Sequence, residues 1–571
     1  MCRACQRGRP LDPRRCRRAA RPRRRLRVVA IRRGRGARAR RCEHPDPADR
    51  DPGAAAAGGD AHIAPAGRRR QVRRTAHPAV SAKKLVLAVI DGVHPAMLQR
   101  AAATGRTPAL ARLMADGVYV DDCVAAFPSV TPVCAATIAT GAGPDRHLIP
   151  AMNWYFREEE RYVDYGSSFQ SSRAMGITRG LTDLVYNLNR SHLSSDTPTV
   201  FELLDDIGVR TAGTTYLIYR GRHRHEVTDE TPLVRLVGRT VMRHGVWGPR
   251  ELFYADLFAS RRTGCHSQLG LPGLRDEHSG CVGAYLVEHD LFDFLLLSLP
   301  DNDTNSHKRG PDAQVHSLAI ADRQLERVMH AAGGPAAFLE DHAVIVIADH
   351  AHALVERSVA ITEAFDDLGV LRPDAGRRKE GALAVCPSQR SAMVYVLDPE
   401  RRAELLPRAR ERAQQLEGVD HLIWREGEEV AVWSPRGELR FAAVGPLVDV
   451  AGDSWSVDGA WEALELERRA DDGALVSIAY PNALARIWAA VNTATAGDLL
   501  LGAVPGFEFV DWGGIHHVGA GAHGSLHRSD SLAPLLWIGT GPESRAARPQ
   551  WTLRDVVPMV AEHFSAAPTA P

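Results

Sequence analysis

Three short apolar runs lead into aspartates, and they limit what this chain can fold into. Leu85-Val-Leu-Ala-Val-Ile90 runs into Asp91, and Ala343-Val-Ile-Val-Ile-Ala348 runs into Asp349. Phe292-Asp-Phe-Leu-Leu-Leu-Ser-Leu299 runs into a stretch that holds Asp303. Short, almost unbroken apolar runs belong to strands buried on both faces, as in parallel sheets. Residues 118–126 and 535–538 read as further strands, while 108–114 and 316–330 read as helices, the first capped by Thr107. This alternation predicts a doubly wound, mostly parallel α/β sheet flanked by helices. Such sheets carry their chemistry outside the carboxyl ends of the strands, where these aspartates stand.

The length, 571 residues, and an apolar fraction of 44% predict a large core with a subsidiary domain. The net charge of +2 hides an asymmetry. Residues 1–84 hold 24 Arg and 2 Lys against 6 acidic residues, a charge of +20, which leaves −18 on the remainder. An acidic body is a poor nucleic-acid binder, so only the Arg-rich tail is a candidate for polyanions. That tail, 1–82, is poor in aromatics and rich in Pro, Gly and Ala, a composition that predicts disorder, and it need not belong to the working protein. The catalytic core is expected over 83–392, with an insertion over the active-site face at about 157–290. A small α+β lid is expected over 393–494, with a hairpin around Pro435-Arg-Gly437, and the core resumes over 495–571. No stretch has the roughly 18 apolar residues of a membrane span, and no secretory signal is visible. Nine dispersed cysteines, with Cys2-x-x-Cys5 lacking a second pair, fit a reducing compartment, so a cytoplasmic location is expected.

Seven residues carry the chemistry. Asp91, before the permissive Gly92, is a hard oxygen ligand or a helix cap. In Phe127-Pro-Ser-Val-Thr131-Pro132, Pro132 suits the first helical position and Thr131 the N-cap, with Gly141 ending the helix. A hydroxyl there lies in the natural phosphate cradle of a helix N-terminus, with Ser129 as rival nucleophile. Asp303 and His307, four apart, supply two ligands that zinc accepts, and Asp301 competes with Asp303. Asp349-His350 offers adjacent oxygen and nitrogen donors, and His523 lies in a Gly-rich loop beside rivals His516, His517 and His527. Pooled, Asp303, His307 and His523 make one cation site, and Asp91, Asp349, His350 with the Thr131 oxygen make another. Two cations roughly 3.5–4 Å apart can clamp the attacking and leaving oxygens of a phosphoryl transfer.

These motifs resemble the nucleotide pyrophosphatase/phosphodiesterase (type I phosphodiesterase) family of the alkaline phosphatase superfamily. The likeness covers 84–350 and 495–565. It is strongest in Val-Ile-Asp91-Gly, Phe-Pro-Ser-Val-Thr131-Pro, Asp303-x-x-x-His307, Ala-Asp349-His350 and Ala-His523-Gly. The resemblance implies two zinc ions, with manganese allowed by the same ligands, a Thr131 nucleophile and a phosphothreonine intermediate. It also implies an Asn after the nucleophile helix that meets a phosphate oxygen, a place Asn153 fits, and Trp154 beside it could stack on a substrate base. The expected substrate is a small phosphorylated compound cleaved at a phosphodiester or phosphoanhydride bond. Ala351 stands where the family has Gly, and 147–153 is less glycine-rich than the family's run. A phosphomonoesterase, a phosphonate hydrolase or a metal-dependent mutase of the same superfamily is the alternative, and a non-catalytic polyanion binder is the remote one. A sulfatase is disfavoured, since Cys134 lacks the Cys-x-Pro-x-Arg pattern.

Overall fold

The computed structural model describes residues 83–228, 234–235, 242–373 and 381–565. The Arg-rich segment 1–82 lies outside the described residues. A central eight-stranded sheet has the spatial order 118–124, 532–538, 342–347, 84–90, 294–299, 211–213, 251–254 and 258–259. Lys84–Ile90 pairs in parallel with Phe294–Leu299 on one side and His342–Ile347 on the other. Leu532–Ile538 runs antiparallel to both of its neighbours. In register, Ile90 lies opposite Leu299 and Val89 opposite Ile347. The three apolar runs therefore end at one sheet edge, and the residues after them share it.

Alternation along Lys84–Ile90 divides the core in two. Leu85, Leu87 and Val89 face a cluster that includes Val133, Ala136, Phe201 and Val560, whereas Val86, Ala88 and Ile90 face Leu98, Val282, Leu318 and Leu325. Helices thus cover both faces, as the unbroken apolar runs require. The first cluster continues into a second sheet through Cys386, Met393 and Tyr395. That sheet has seven antiparallel strands in the order 383–388, 391–396, 499–503, 419–426, 429–434, 437–448 and 454–459. Helix Arg402–Gln414 packs on it through Leu405, Ala409 and Ala413, and the hairpin expected around Pro435 joins Glu429–Ser434 to Gly437–Val448.

Three local expectations are corrected. The stretch 157–290 is not wholly an insertion, because Thr211–Gly213 and Glu251–Tyr254 are strands of the central sheet, too short to leave an apolar run. Thr107 makes no side-chain cap to the helix Pro108–Asp116. Instead the Asp322 carboxylate of helix Gln314–His330 accepts from the N–H groups of Ala109 (3.2 Å) and Leu110 (2.7 Å). Cys265 and Cys281 form a disulfide, because helix Arg275–Glu288 brings Cys281 within a Cα–Cα distance of 5.8 Å, while Cys123, Cys134 and Cys386 are buried thiols. Among the described residues no helix is long and apolar enough to cross a membrane.

Candidate metal centre

All seven predicted residues meet at the shared sheet edge, in two groups. Asp91 follows the first strand, and Gly92 turns the chain at φ +69°. A Cβ on Gly92 would lie 2.7 Å from His352 Nε2, so only glycine fits there. The Gly92 N–H and the His350 N–H both donate to Asp349 Oδ1, each at 3.0 Å. Asp303 and His307 stand one turn apart on helix Asp301–Arg309, which places them on one face. His523 arrives from far along the chain because Gly521–Ala522 pairs antiparallel with Ala353–Leu354, just beyond His350.

Thr131 departs from expectation in a telling way. Val130 is the N-cap of helix Thr131–Thr140, and Thr131 is the first helical residue. Its hydroxyl is therefore not committed to capping, and Thr131 Oγ1 lies 3.1 Å from His350 Nε2. Gly141 ends the helix in the left-handed conformation, as predicted.

In one group Asp303, His307 and His523, joined by His352, offer donor atoms within 4.8 Å of one another; in the other, Asp91, Asp349 and His350 do. The hydrogen bonds behind the rings fix how they face. Nδ1 of His307 meets the Gly521 carbonyl at 2.8 Å, that of His523 the Ser129 carbonyl at 2.8 Å, and that of His350 the Ala351 carbonyl at 3.1 Å. A carbonyl only accepts, so the proton sits on Nδ1 and Nε2 turns inward, the arrangement typical of metal-binding histidines. Those inward nitrogens face carboxylates. His350 Nε2 is 3.4 Å from Asp349 and 3.6 Å from Asp91, and His307 and His523 are 3.3 and 3.6 Å from Asp303. A lone pair facing a carboxylate at this range repels it unless a proton or cation lies between.

Electrostatics points the same way. Burial pushes Asp91 well above the ordinary carboxylate range, and the nearby charges of Asp349 and Asp303 add to it. Burial also raises Asp349. Burial drives His523 far down, so its Nε2 stays bare, and that buried atom has no hydrogen-bond partner. Asp303 goes the other way: burial would raise it, but the charge of His307 and hydrogen bonds from His307 and His352 hold it well below its usual range. His307 is raised in turn, since Asp303 outweighs burial there. Asp303 and His307 thus form an ion pair whose proton a divalent cation would displace. Clustered carboxylates, half-buried or buried, and bare imidazole nitrogens fit a pair of divalent cations.

The structure also sorts the rivals. Ser129 donates to the Ser525 carbonyl at 2.8 Å, so its hydroxyl is committed. Asp301 accepts from the backbone of Gly273, Arg275 and Asp276 and from the Arg275 side chain, which leaves it structural. His516 is exposed, His517 is held by Glu508 at 2.8 Å, and His527 caps helix Arg528–Ser531. Two expected substrate-binding residues lie in the hairpin beside the nucleophile helix. The Asn153 amide donates to the Val163 carbonyl at 3.1 Å and lies 3.3 Å from Met175 Sδ, inside the hairpin that Asn153–Phe156 forms with Arg161–Asp164. Trp154 is 1% exposed and packs edge-on against His192, so its ring is part of the core.

Two residues escaped the sequence reading. His352 is fully buried, pushed by burial down to about 3, and its Nε2 donates to Asp303 Oδ1 at 2.9 Å, steadying that carboxylate. Its signal was the i, i+2 spacing in Asp349-His350-Ala351-His352. Gln389 reaches His307 and His523 from the second sheet, and nothing in the sequence marks it.

The family model described as Type I phosphodiesterase / nucleotide pyrophosphatase matches residues 85–474. Comparison with curated protein sequences returns no match. Among solved structures, human ectonucleotide pyrophosphatase / phosphodiesterase 5 is similar at 13% identity and a TM-score of 0.51, with 86% of this chain and 96% of that one covered. The murine protein, solved as an inactive form with AMP, gives 11%, a TM-score of 0.50 and the same coverage. Phosphonoacetate hydrolase from Sinorhizobium meliloti 1021 gives 16% identity and a TM-score of 0.48, over 85% and 96% of the two chains. Likeness at these identities concerns the fold.

Proposed function

Given that this chain belongs to the type I phosphodiesterase / nucleotide pyrophosphatase family, we propose that it is a two-cation hydrolase of phosphodiester or phosphoanhydride bonds, with Thr131 as nucleophile. The observation that carries this reading is the inward-facing set of three imidazole Nε2 atoms against three clustered carboxylates, with the Thr131 hydroxyl touching His350 Nε2 at its edge. Asp303, His307 and His523 would hold one cation, with His352 fixing Asp303. Asp91, Asp349 and His350 with the Thr131 oxygen would hold the other. Mixed His and Asp donors favour zinc, and manganese obeys the same ligand rules. Bound there, such cations supply Lewis acidity, neutralising phosphoryl charge and lowering the hydroxyl pKa.

The chain's own residues do the rest. Thr131 Oγ1 attacks phosphorus, the bond from phosphorus to the leaving oxygen breaks, and a phosphothreonine forms that water later cleaves, restoring the hydroxyl. Thr131 opens a ten-residue helix, so its N-terminal N–H groups and dipole favour the negative phosphoryl group.

The test is hydrolysis of bis-p-nitrophenyl phosphate, p-nitrophenyl thymidine monophosphate and p-nitrophenyl phosphate by the cation-loaded protein. Preference for the diesters, lost on chelation and restored by zinc or manganese, is the expected result. Preference for the monoester would move the reading to a phosphatase with the same cation pair.

A further inference from the structure

Gln389 and Arg390 form the two-residue turn between Leu383–Ser388 and Ser391–Val396, so the second sheet touches the metal centre. Gln389 has φ +60°, unusual for a residue with a Cβ and frequent where backbone serves a site. The turn is held firmly. The Arg390 N–H donates to the His523 carbonyl at 3.0 Å and the Phe509 N–H to the Gln389 carbonyl at 2.7 Å. The Gln389 side chain is consequently fixed between two predicted ligands: Oε1 accepts from the His523 N–H at 3.2 Å, and Nε2 lies 3.4 Å from His307 Nε2.

The acceptor half of this amide has a plain structural task, holding the His523 loop. The donor half has none once His307 turns its Nε2 lone pair to a cation. It then borders the group Asp303, His307 and His523, the one that lacks Thr131. In an in-line displacement the leaving oxygen departs on the side away from the attacking Thr131. We propose that Gln389 is a leaving-group residue: its Nε2–H donates to the oxygen that leaves phosphorus. This rests on the phosphoryl-transfer reading above and deepens it. The substrate class it favours has a leaving oxygen that develops full negative charge, an alkoxide or a phosphate rather than an activated phenolate, because a hydrogen bond strengthens with the charge on its acceptor.

Gln389→Glu replaces the donor with a charged oxygen while it keeps side-chain length and the oxygen that accepts from His523. Gln389→Gly removes the amide while suiting the positive φ. For both, cation affinity would be measured by chelator competition, and kcat/KM across diesters from p-nitrophenyl to alkyl leaving groups. Calorimetry would give the affinity of bis-p-nitrophenyl phosphate for Thr131→Ala with and without each change. The expected result is weaker diester binding for both, with cation affinity no more than about threefold below wild type for Gln389→Glu, which keeps the acceptor for the His523 N–H. The loss of kcat/KM should steepen to about tenfold or more for alkyl leaving groups, the worth of one hydrogen bond to a charged oxygen. An equal loss across the series, no loss, or loss of the cation itself would overturn the assignment while leaving the phosphoryl-transfer reading intact. A cation-loaded wild type that hydrolyses no diester would overturn both.

Discussion

Asp530→Asn should be among the most damaging substitutions away from the cation ligands themselves. Arg390 and Asp530 form an ion pair at 2.9 Å with both side chains fully buried. Arg390 also donates to the carbonyls of Phe507 (3.1 Å) and Val504 (3.3 Å), and Asp530 accepts from the N–H and hydroxyl of Ser525 at 2.7 and 2.8 Å. Removing one charge strands a guanidinium with no route to water, a loss of about 3–5 kcal/mol for a broken buried pair. That is a large share of the roughly 5–15 kcal/mol that holds a folded domain together. Urea unfolding of wild type, Asp530→Asn, Arg390→Met and the double variant would measure it. The double variant should cost clearly less than the sum of the singles, with a coupling above about 1 kcal/mol. Because Arg390 and Ser525 flank the loop that carries His523, the single variants should also weaken cation binding. Strict additivity with unchanged cation affinity would refute the idea that this pair anchors the metal loop.

Three further outcomes follow from the same geometry. His352→Ala removes the donor that steadies Asp303 and should weaken cation binding about 10–100-fold in a chelator competition, the usual effect of losing such a support. Asp276 is buried and its carboxyl is pushed up to about 7, chiefly by burial and then by Asp301. Its folded pKa lies above the unfolded value, so the stability it contributes should fall as pH rises from about 4 to 7, by up to about 1.4 kcal/mol per pH unit. Asp276→Asn should flatten that slope in denaturant titrations, and an unchanged slope would contradict it. Chelation should lower the melting temperature as well as abolish hydrolysis, and adding zinc or manganese should restore both, as for any ligand that binds only the folded state.

The sheet and the site were legible to different depths. Lys84–Ile90, Phe294–Leu299 and His342–Ile347 announced themselves because burial on both faces keeps each run almost wholly apolar. Thr211–Gly213 was invisible, since three residues ending in glycine carry no periodicity. The seven chemical residues could be named because aspartates after buried strands have few structural uses. Choosing among neighbours needed coordinates: Ser129 is held by the Ser525 carbonyl, whereas the Thr131 hydroxyl lies against His350. The burial of Asn153 and Trp154 in a hairpin next to the helix is a contact that sequence spacing does not show. Gln389 was out of reach for a different reason, being delivered by a sheet that begins nearly three hundred residues after Asp91.

The most direct test of Thr131 as nucleophile is mass spectrometry of the cation-loaded protein, acid-quenched during turnover of a diester. The account predicts a phosphoryl adduct on the peptide that holds Thr131, absent in Thr131→Ala, which should still bind cations through the remaining Asp and His ligands and lose turnover. Turnover without an adduct, undiminished in Thr131→Ala, would contradict it.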